Sequence, residues 1–247
     1  MLVWDNQQET SWFTGILEAE GSCVNTHGTS GQQIQISNTD VCILNHCKIF
    51  LEKKAITYGL YDYKSKNGKI LTQISVCGKN NCYSLLKWID YYFQCRKEEF
   101  YEKLQLGSST TTRDATLTSD LHWLVGMFEG EGCLTLDQER NTYAPKVRFV
   151  NTNKLIIEKY IKTLRDNGLS WYIYNRKSAK YKDSTEISMT GLLRCKRFLT
   201  KLEGLWRSEK YAQRASKLLR FFDLRLSAPK GSPYTQEQKQ IYLDLKS

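Results

Sequence analysis

Two stretches of the sequence decide the fold, "FTGILEAEG" at residues 13–21 and "LVGMFEGEG" at residues 124–132. Each reads as an apolar helix with small residues four positions apart, and each ends in an acid followed by glycine. Small residues at this spacing allow two helix backbones to approach closely. We therefore expect the Gly15 face of the first helix to pack against the Gly126 face of the second.

The acids that end these helices, Glu20 and Glu131, indicate a metal site. Close packing would bring together two carboxylates that each lie at the negative end of a helix dipole, which is unfavourable. A hard divalent cation ligated by carboxylate and backbone carbonyl oxygens offsets this repulsion, and Mg²⁺ is usual where phosphate oxygens complete the shell. Glu18 and Glu129, two positions earlier, are expected on the opposite side of each helix in a structural role.

The order of predicted elements occurs twice in the chain. After each of these helices come two strands, a helix, two strands and two further helices. The segments "ISNTD" (36–40) and "FVNTN" (149–153) match at an offset of 113, and Lys97 matches Lys210 at the same offset. The predicted organisation is an N-terminal repeat at 1–107, a linker at 108–118 and a C-terminal repeat at 119–247.

Charge is distributed unevenly between the halves. The formal net charge is +10; residues 1–107 hold 11 basic and 11 acidic side chains, and the rest of the chain holds 25 and 15. A basic surface favours a polyanionic partner, nucleic acid being the usual one, although a soluble basic protein without such a partner stays an alternative at this point.

The cysteines and the N-terminus indicate an intracellular protein. The eight cysteines include no Cys-x-x-Cys pair and there are three histidines, so we interpret the thiols as reduced core residues. A zinc site at Cys77 and Cys82 would lack a second ligand pair at suitable spacing. "MLVWDNQQET" at the start has no basic lead or apolar run, and no stretch approaches the length of a membrane span.

Strand alternation predicts two different sheet faces. In "QQIQIS" the apolar Ile34 and Ile36 alternate with glutamines, and in the second half the alternating polar residues are Lys146 and Arg148. Such a polar face is commonly solvated. Gln, Lys and Arg are also the side chains that pair with adenine and guanine edges in the major groove of DNA.

The motifs, extended as "SWFTGILEAEGSC" and "LHWLVGMFEGEGCL", resemble the paired signature of LAGLIDADG homing endonucleases in their single-chain, two-repeat form. The resemblance runs from about residue 10 to residue 224. It implies an α+β fold of two pseudo-symmetric αββαββα repeats joined at the paired motif helices, with the antiparallel sheets forming a saddle over duplex DNA. Many members have Asp as the last motif acid, whereas this chain has Glu in both copies.

The resemblance also implies the site residues. The metal ligands for Mg²⁺ would be Glu20 and Glu131 with the backbone carbonyls of Ala19 and Gly130. The supporting active-site residues would be Asn38, Asn151, Lys97 and Lys210, with Arg96 as a substitute for Lys97. The side chains expected to contact DNA are Gln33, Gln35, Lys64, Lys66, Gln73, Lys146, Arg148, Arg176, Lys177, Lys180, Lys182 and Glu186.

The implied activity is a staggered double-strand break in a long asymmetric DNA target by an intron-encoded, monomeric enzyme of the cytoplasm, nucleoid or an organelle. Two alternatives use the same fold without cutting DNA, an intron maturase that binds RNA and a DNA-binding regulator. Both motif acids are present, which favours the endonuclease.

Overall fold

The computed structural model describes residues 4–26, 31–64, 68, 70–107, 117–139, 142–177 and 182–246. The chain divides into two compact units, Leu2–Gly130 and Glu131–Ser247. Each unit contains one four-stranded antiparallel sheet, and the described residues form nine helices and eight strands in all. The mixed α and β class predicted from the sequence is confirmed.

The elements of the first repeat are α1 (Asn6–Glu20), β1 (Gly21–Thr26), β2 (Gly31–Asn38), α2 (Val41–Lys53), β3 (Gly59–Lys64), β4 (Ile70–Cys77), α3 (Lys79–Ile89) and α4 (Lys97–Lys103). Those of the second are α5 (Leu121–Glu131), β5 (Gly132–Glu139), β6 (Thr142–Asn151), α6 (Lys154–Asp166), β7 (Tyr172–Arg176), β8 (Ser184–Thr190), α7 (Leu192–Lys201) and α8 (Glu209–Ser227). A further helix, α9 (Gln236–Lys246), follows. Most of the predicted linker, residues 108–116, lies outside the described residues.

The two sheets have the same topology and the same register. Their strand orders are β1-β2-β4-β3 and β5-β6-β8-β7. Asn38 faces Thr72 in the first sheet and Asn151 faces Thr185 in the second, which keeps the offset of 113 on both strands. The motif glycines differ by two residues from that offset, because Gly21 faces Ile36 whereas Gly132 faces Phe149. The second hairpin is therefore two residues longer between these positions.

The apolar side of each sheet packs on helices. Ile34, Ile36, Ile74 and Val76 are buried in the first unit, as are Val147, Phe149, Ile187 and Met189 in the second. Phe149 stacks on Tyr160 of α6 with the ring centroids 4.1 Å apart. The alternation predicted from the sequence is confirmed, and it leaves the other side of each sheet to the polar residues.

Local chemistry sets the helix starts in parallel ways. Asp40 caps α2 through the backbone N–H groups of Cys42 and Ile43, and Asn153 caps α6 at the matching position. Gly78 before α3 has φ of 90° and Gly191 before α7 has φ of 86°. Because residues other than glycine rarely adopt this backbone conformation, the two glycines permit the same sharp strand-to-helix turn in each repeat.

Helix α9 was not predicted from the repeat pattern. It packs on the second hairpin, where Tyr143 contacts Tyr242 with the ring centroids 4.6 Å apart. Arg214 of α8 donates a hydrogen bond to the carbonyl of Leu245 at 2.7 Å. Across the described residues, none of the helices combines the length and apolar character that a membrane span requires.

Candidate active site

The motif helices α1 and α5 pack at their glycines. A Cβ atom built on Gly15 would lie 2.3 Å from the carbonyl oxygen of Trp123, and one built on Gly126 would lie 2.3 Å from that of Trp12. Near the helix ends, a Cβ on Gly130 would lie 2.5 Å from the Cβ of Ala19. No larger residue fits at these distances, so the close approach predicted from the small residues is confirmed.

The penultimate acids of the motifs have a structural role. Glu18 and Glu129 are buried, with 1% and 3% of their surface exposed. Trp123 donates its indole N–H to Glu18 at 2.7 Å, and Trp12 donates to Glu129 at the same distance. Each carboxylate therefore contacts the other motif helix. The sequence predicted only that it would lie on the side of its own helix opposite to the last motif acid.

Glu20 ends α1 beside the strand-end asparagine. The side-chain amide of Asn38 donates to Oε1 of Glu20 at 3.5 Å, a long hydrogen bond. Its Oδ1 accepts the backbone N–H of Asp40 at 2.8 Å, which holds the turn into α2. The amide nitrogen is thereby directed towards the carboxylate.

In the second unit Glu131 and Asn151 occupy the matching positions. Glu131 is exposed and precedes Gly132, the first residue of β5. Asn151 ends β6 and accepts the backbone N–H of Asn153 on Oδ1 at 2.8 Å, the same turn that Asn38 makes. Each unit therefore contains a motif acid at a helix end and a matching asparagine at the end of the neighbouring strand.

The two lysines differ in their surroundings. Lys97, at the start of α4, is 8% exposed and forms an ion pair with Asp90. Lys210, in the first turn of α8, is exposed, and no ion pair joins it to an acid in the described part of the chain. The predicted equivalence of the lysines holds in sequence position and not in environment.

Side chains beside both lysines contact the motif glycines. Arg96 donates from Nη1 to the carbonyl of Gly21 at 2.7 Å, and the hydroxyl of Tyr211 donates to the carbonyl of Gly132 at 2.6 Å. Arg96 also donates from Nε to the carboxylate of Glu99 at 2.9 Å. These contacts hold the lysine segments against the ends of the motif helices.

The donor set at the motif ends suits a hard cation. Carboxylate oxygens of Glu20 and Glu131 and carbonyl oxygens at helix C-termini are ligands that Mg²⁺ prefers. Within the described ranges, no group of three or more His, Cys, Asp or Glu side chains could hold a metal. A cation at the motif acids would therefore need carbonyl, phosphate or water oxygens as its remaining ligands.

The polar face of the first sheet carries glutamines and serines. Gln35 donates to Gln33 at 2.9 Å, and Gln73 donates to Ser75 at 2.8 Å. All are on the face opposite Ile34, because Gln35 faces Ser75 across the β2–β4 pair. The face offers amide donors and acceptors without a formal charge at these positions.

The polar face of the second sheet is charged. Lys146 bonds Glu139 at 2.7 Å and also pairs with Asp137, and these hydrogen bonds raise the pKa of the lysine. Glu186 is buried and forms an ion pair with Arg176. The carboxylate of Glu186 is thus engaged by a cation.

Arg148 lies on the same charged face, half-buried, where it faces Ser188 of β8. The strand registers keep one offset between equivalent positions of the two sheets. At this offset Gln33, Gln35 and Gln73 correspond to Lys146, Arg148 and Glu186. Equivalent positions therefore present neutral amides in one sheet and charged groups in the other.

Not all of the expected DNA contacts join these faces. Lys64 faces Ile70, which puts it on the same side of the first sheet as Ile74 and opposite the glutamines. Lys177 follows β7 and Lys182 precedes β8, and both are exposed. Lys66 and Lys180 lie outside the described residues.

The thiols are free, as expected, and most are buried. Burial raises the pKa of Cys82 to about 12, which keeps it protonated. Cys77 is exposed at the end of β4, so the assignment of all eight cysteines to the core is wrong at this position.

Comparisons with known proteins bear on the family and the fold. A family model described as a LAGLIDADG-like domain matches residues 119–203. An uncharacterized protein of Methanocaldococcus jannaschii is 24% identical over 178 residues, covering 71% of this chain. The match covers 60% of that relative, so the chain spans less than two thirds of its length.

Solved structures match over nearly the whole chain. The I-LtrWI LAGLIDADG homing endonuclease bound to target DNA has a TM-score of 0.71 at 14% identity and covers 98% of this chain and 97% of its own. LAGLIDADG homing endonuclease I-GzeII in complex with its DNA target has a TM-score of 0.72 at 12% identity, with 96% of both chains covered. At these identities the likeness is one of fold.

Nearly the whole chain therefore has the fold of solved LAGLIDADG homing endonucleases, and residues 119–203 match the LAGLIDADG-like domain. The resemblance indicated by the two sequence motifs is thereby confirmed.

Proposed function

We propose that the protein is a site-specific homing endonuclease that makes a staggered double-strand break in a long asymmetric DNA target. The observation that carries this proposal is the repeated constellation at the motif ends. Each unit contains a glutamate at the end of the motif helix, an asparagine at the end of a strand, and a lysine. The lysine is next in sequence to the residue that bonds the glycine following the glutamate. Two such constellations suit a reaction that must be carried out once on each DNA strand.

The motif acids would hold the divalent metal. Glu20 and Glu131, with the carbonyls of Ala19 and Gly130, supply oxygen ligands of the kind Mg²⁺ binds. A bound divalent cation lowers the pKa of water and neutralises charge on phosphate. The residues of the chain orient this site, because Asn38 directs its amide to Glu20 while its oxygen holds the turn.

The lysines would act on the phosphate. Lys210 is exposed beside Tyr211, so its ammonium is available to stabilise negative charge on the scissile phosphate. Lys97 is mostly buried and paired with Asp90, so it must exchange this partner or act together with it. The two half-sites are therefore chemically different.

The polar sheet faces would read the target. Glutamine amides suit adenine and the cations of Lys146 and Arg148 suit guanine, so guanine contacts should concentrate under the second repeat. Because Glu186 is paired with Arg176, we assign it to orienting this arginine and not to direct contact with a base. The free thiols fit an enzyme that acts inside the cell. We propose further that the enzyme is a monomer encoded within an intron.

The direct test is cleavage of a randomised duplex DNA library with Mg²⁺, with EDTA as the control. The proposal expects recovery of staggered ends from a restricted set of asymmetric sites, only when Mg²⁺ is present. Binding of duplex sites without any cleavage would favour a regulator. Selective binding of structured RNA without DNA cleavage would favour a maturase, and either result would overturn the proposal.

A further inference from the structure

The carbonyl of the glycine that follows each motif acid accepts a hydrogen bond from a side chain. The two donor side chains are chemically different. In the first unit Arg96 bonds the Gly21 carbonyl at 2.7 Å, and in the second Tyr211 bonds the Gly132 carbonyl at 2.6 Å. At the repeat offset of 113, Arg96 corresponds to Glu209 and Tyr211 corresponds to Glu98. The same contact is thus made from two positions that are not equivalent in the repeat.

Both side chains are themselves fixed by their neighbours. Arg96 donates Nε and Nη2 to the carboxylate of Glu99, each at 2.9 Å, and its guanidinium lies 5.1 Å from the centre of the Phe100 ring. Nη1 also reaches the carbonyl of Glu18 at 3.3 Å. A planar guanidinium held at both ends has little freedom to move.

Tyr211 is fixed by a different set of contacts. Its ring stacks on Trp206 with the centroids 6.0 Å apart, and its backbone N–H donates to Ser208 at 3.2 Å in the cap of α8. The hydroxyl therefore reaches Gly132 from a ring whose position is already set. Arg96 and Tyr211 are thus each held by their own neighbours, and each bonds the equivalent glycine carbonyl of its own unit.

This position is the junction at which the motif helix becomes a strand. Helix α1 ends at Glu20 and β1 begins at Gly21, and α5 ends at Glu131 before β5 begins at Gly132. A hydrogen bond to the glycine carbonyl fixes the peptide between that glycine and the next residue of the strand, one residue beyond the acid. Only the glycine separates this fixed peptide from the acid, so its orientation limits the directions open to the acid's side chain.

We propose that Arg96 and Tyr211 are positioning residues that hold Glu20 and Glu131 in the geometry required for metal binding. The inference rests on the proposed function, because it concerns the metal ligands assigned there. Ligands must be held within about 0.5 Å of their working geometry, and loss of a residue that orients a ligand typically weakens metal affinity by about 10- to 100-fold.

The test replaces Tyr211 with phenylalanine, which removes the hydroxyl and keeps the stacked ring. Mn²⁺ binding to the full chain is titrated by electron paramagnetic resonance, and thermal unfolding is measured on the same samples. The expected result is an Mn²⁺ dissociation constant at least about tenfold higher than that of the wild type. Arg96→Lys keeps the charge but not the fork, and the same weakening is expected.

Tyr234→Phe is the matched control. The Tyr234 hydroxyl accepts the backbone N–H of Tyr143 at 3.1 Å in the same unit as Tyr211, so the control also removes one hydroxyl-to-backbone bond. It should leave the Mn²⁺ affinity unchanged. Wild-type Mn²⁺ affinity in Tyr211→Phe, with only the unfolding temperature lowered, would show a merely structural role and overturn the inference. If wild-type protein neither bound Mn²⁺ nor cut DNA, the proposed function would fail and the inference with it.

Discussion

Trp12 donates its indole N–H to the buried carboxylate of Glu129 at 2.7 Å. The two residues belong to different motif helices, and the bond lies beside the close contact at Gly15 and Gly126. The matching bond from Trp123 to Glu18 makes the exchange reciprocal. A buried carboxylate is costly unless it is bonded, so these indoles allow the acids to occupy the helix pair.

Replacing Trp12 with phenylalanine should therefore destabilise the protein. A hydrogen bond to a charged group contributes about 1.5–3 kcal/mol, and Trp12→Phe is expected to lower the free energy of unfolding by about that amount. Chemical denaturation followed by circular dichroism measures the change. Trp88→Phe, at a tryptophan that is 52% exposed, is the control and should change stability by less than about 0.5 kcal/mol. Equal losses in the two variants would contradict the account.

The two active-site lysines should respond differently to substitution. Lys97→Met leaves Asp90 without its ion-pair partner, so we expect both slower cleavage and a loss of about 1–3 kcal/mol of stability. Lys210→Met should slow cleavage with no measurable change in stability, because Lys210 is exposed. Unfolding midpoints and strand-specific cleavage rates of the two variants provide the comparison. An unchanged cleavage rate in Lys210→Met would remove its assignment to the phosphate.

Base reading by the second sheet can be separated from phosphate binding. Arg148→Ala should cost about 1–3 kcal/mol at one or two base pairs of the target and relax specificity there, because a bidentate contact is lost. Lys182→Ala, outside the sheet, should weaken binding to all sequences alike. Profiling cleavage of every single-base variant of the target measures both patterns. A uniform loss in Arg148→Ala, with no position relaxed, would show that Arg148 does not read bases.

The bond between Arg96 and Glu99 should make stability depend on pH. Hydrogen bonds from Arg96 outweigh the effect of partial burial and, with those from Lys103, lower the pKa of Glu99 from 4.5 to about 2. A carboxyl group with a depressed pKa contributes stability above its unfolded-state pKa and loses it as the pH falls through the folded value. Wild-type protein should therefore exceed Glu99→Gln in unfolding temperature by a constant margin above about pH 5. The margin should shrink between pH 4.5 and pH 2, and a margin that stayed constant over this range would rule out the assignment.

Much of the architecture follows from local sequence patterns. Periodicity, the paired motifs and the constant offset predict the elements and the sheet faces, because each depends on residues close together in the chain or in register. Glu18 shows the limit. It is about 200° around the helix from Glu20, but α1 is buried on nearly all sides, so the opposite direction also meets protein. A helical period gives the direction of a side chain but not the neighbour it meets.

Other features depend on tertiary contacts that have no repeat signature. Arg96 and Tyr211 reach equivalent carbonyls from non-equivalent positions, so no offset could pair them. Strand β3 has apolar or aromatic residues at both parities, and therefore the face of Lys64 could not be read from alternation. The tryptophan bonds to the buried acids did have a sequence signal. Trp12 precedes Gly15 by three residues, and Trp123 precedes Gly126 by three residues.

In the proposed enzyme Glu20 and Glu131 each complete a metal site that cuts DNA. The most direct measurement is Mg²⁺-dependent double-strand cleavage of the selected target by Glu20→Gln and Glu131→Gln, with affinity for the uncut duplex measured in parallel. Glutamine keeps the size of the side chain and removes its charge, so folding and binding should persist while double-strand cleavage falls below detection. Wild-type cleavage rates in either variant would contradict the account.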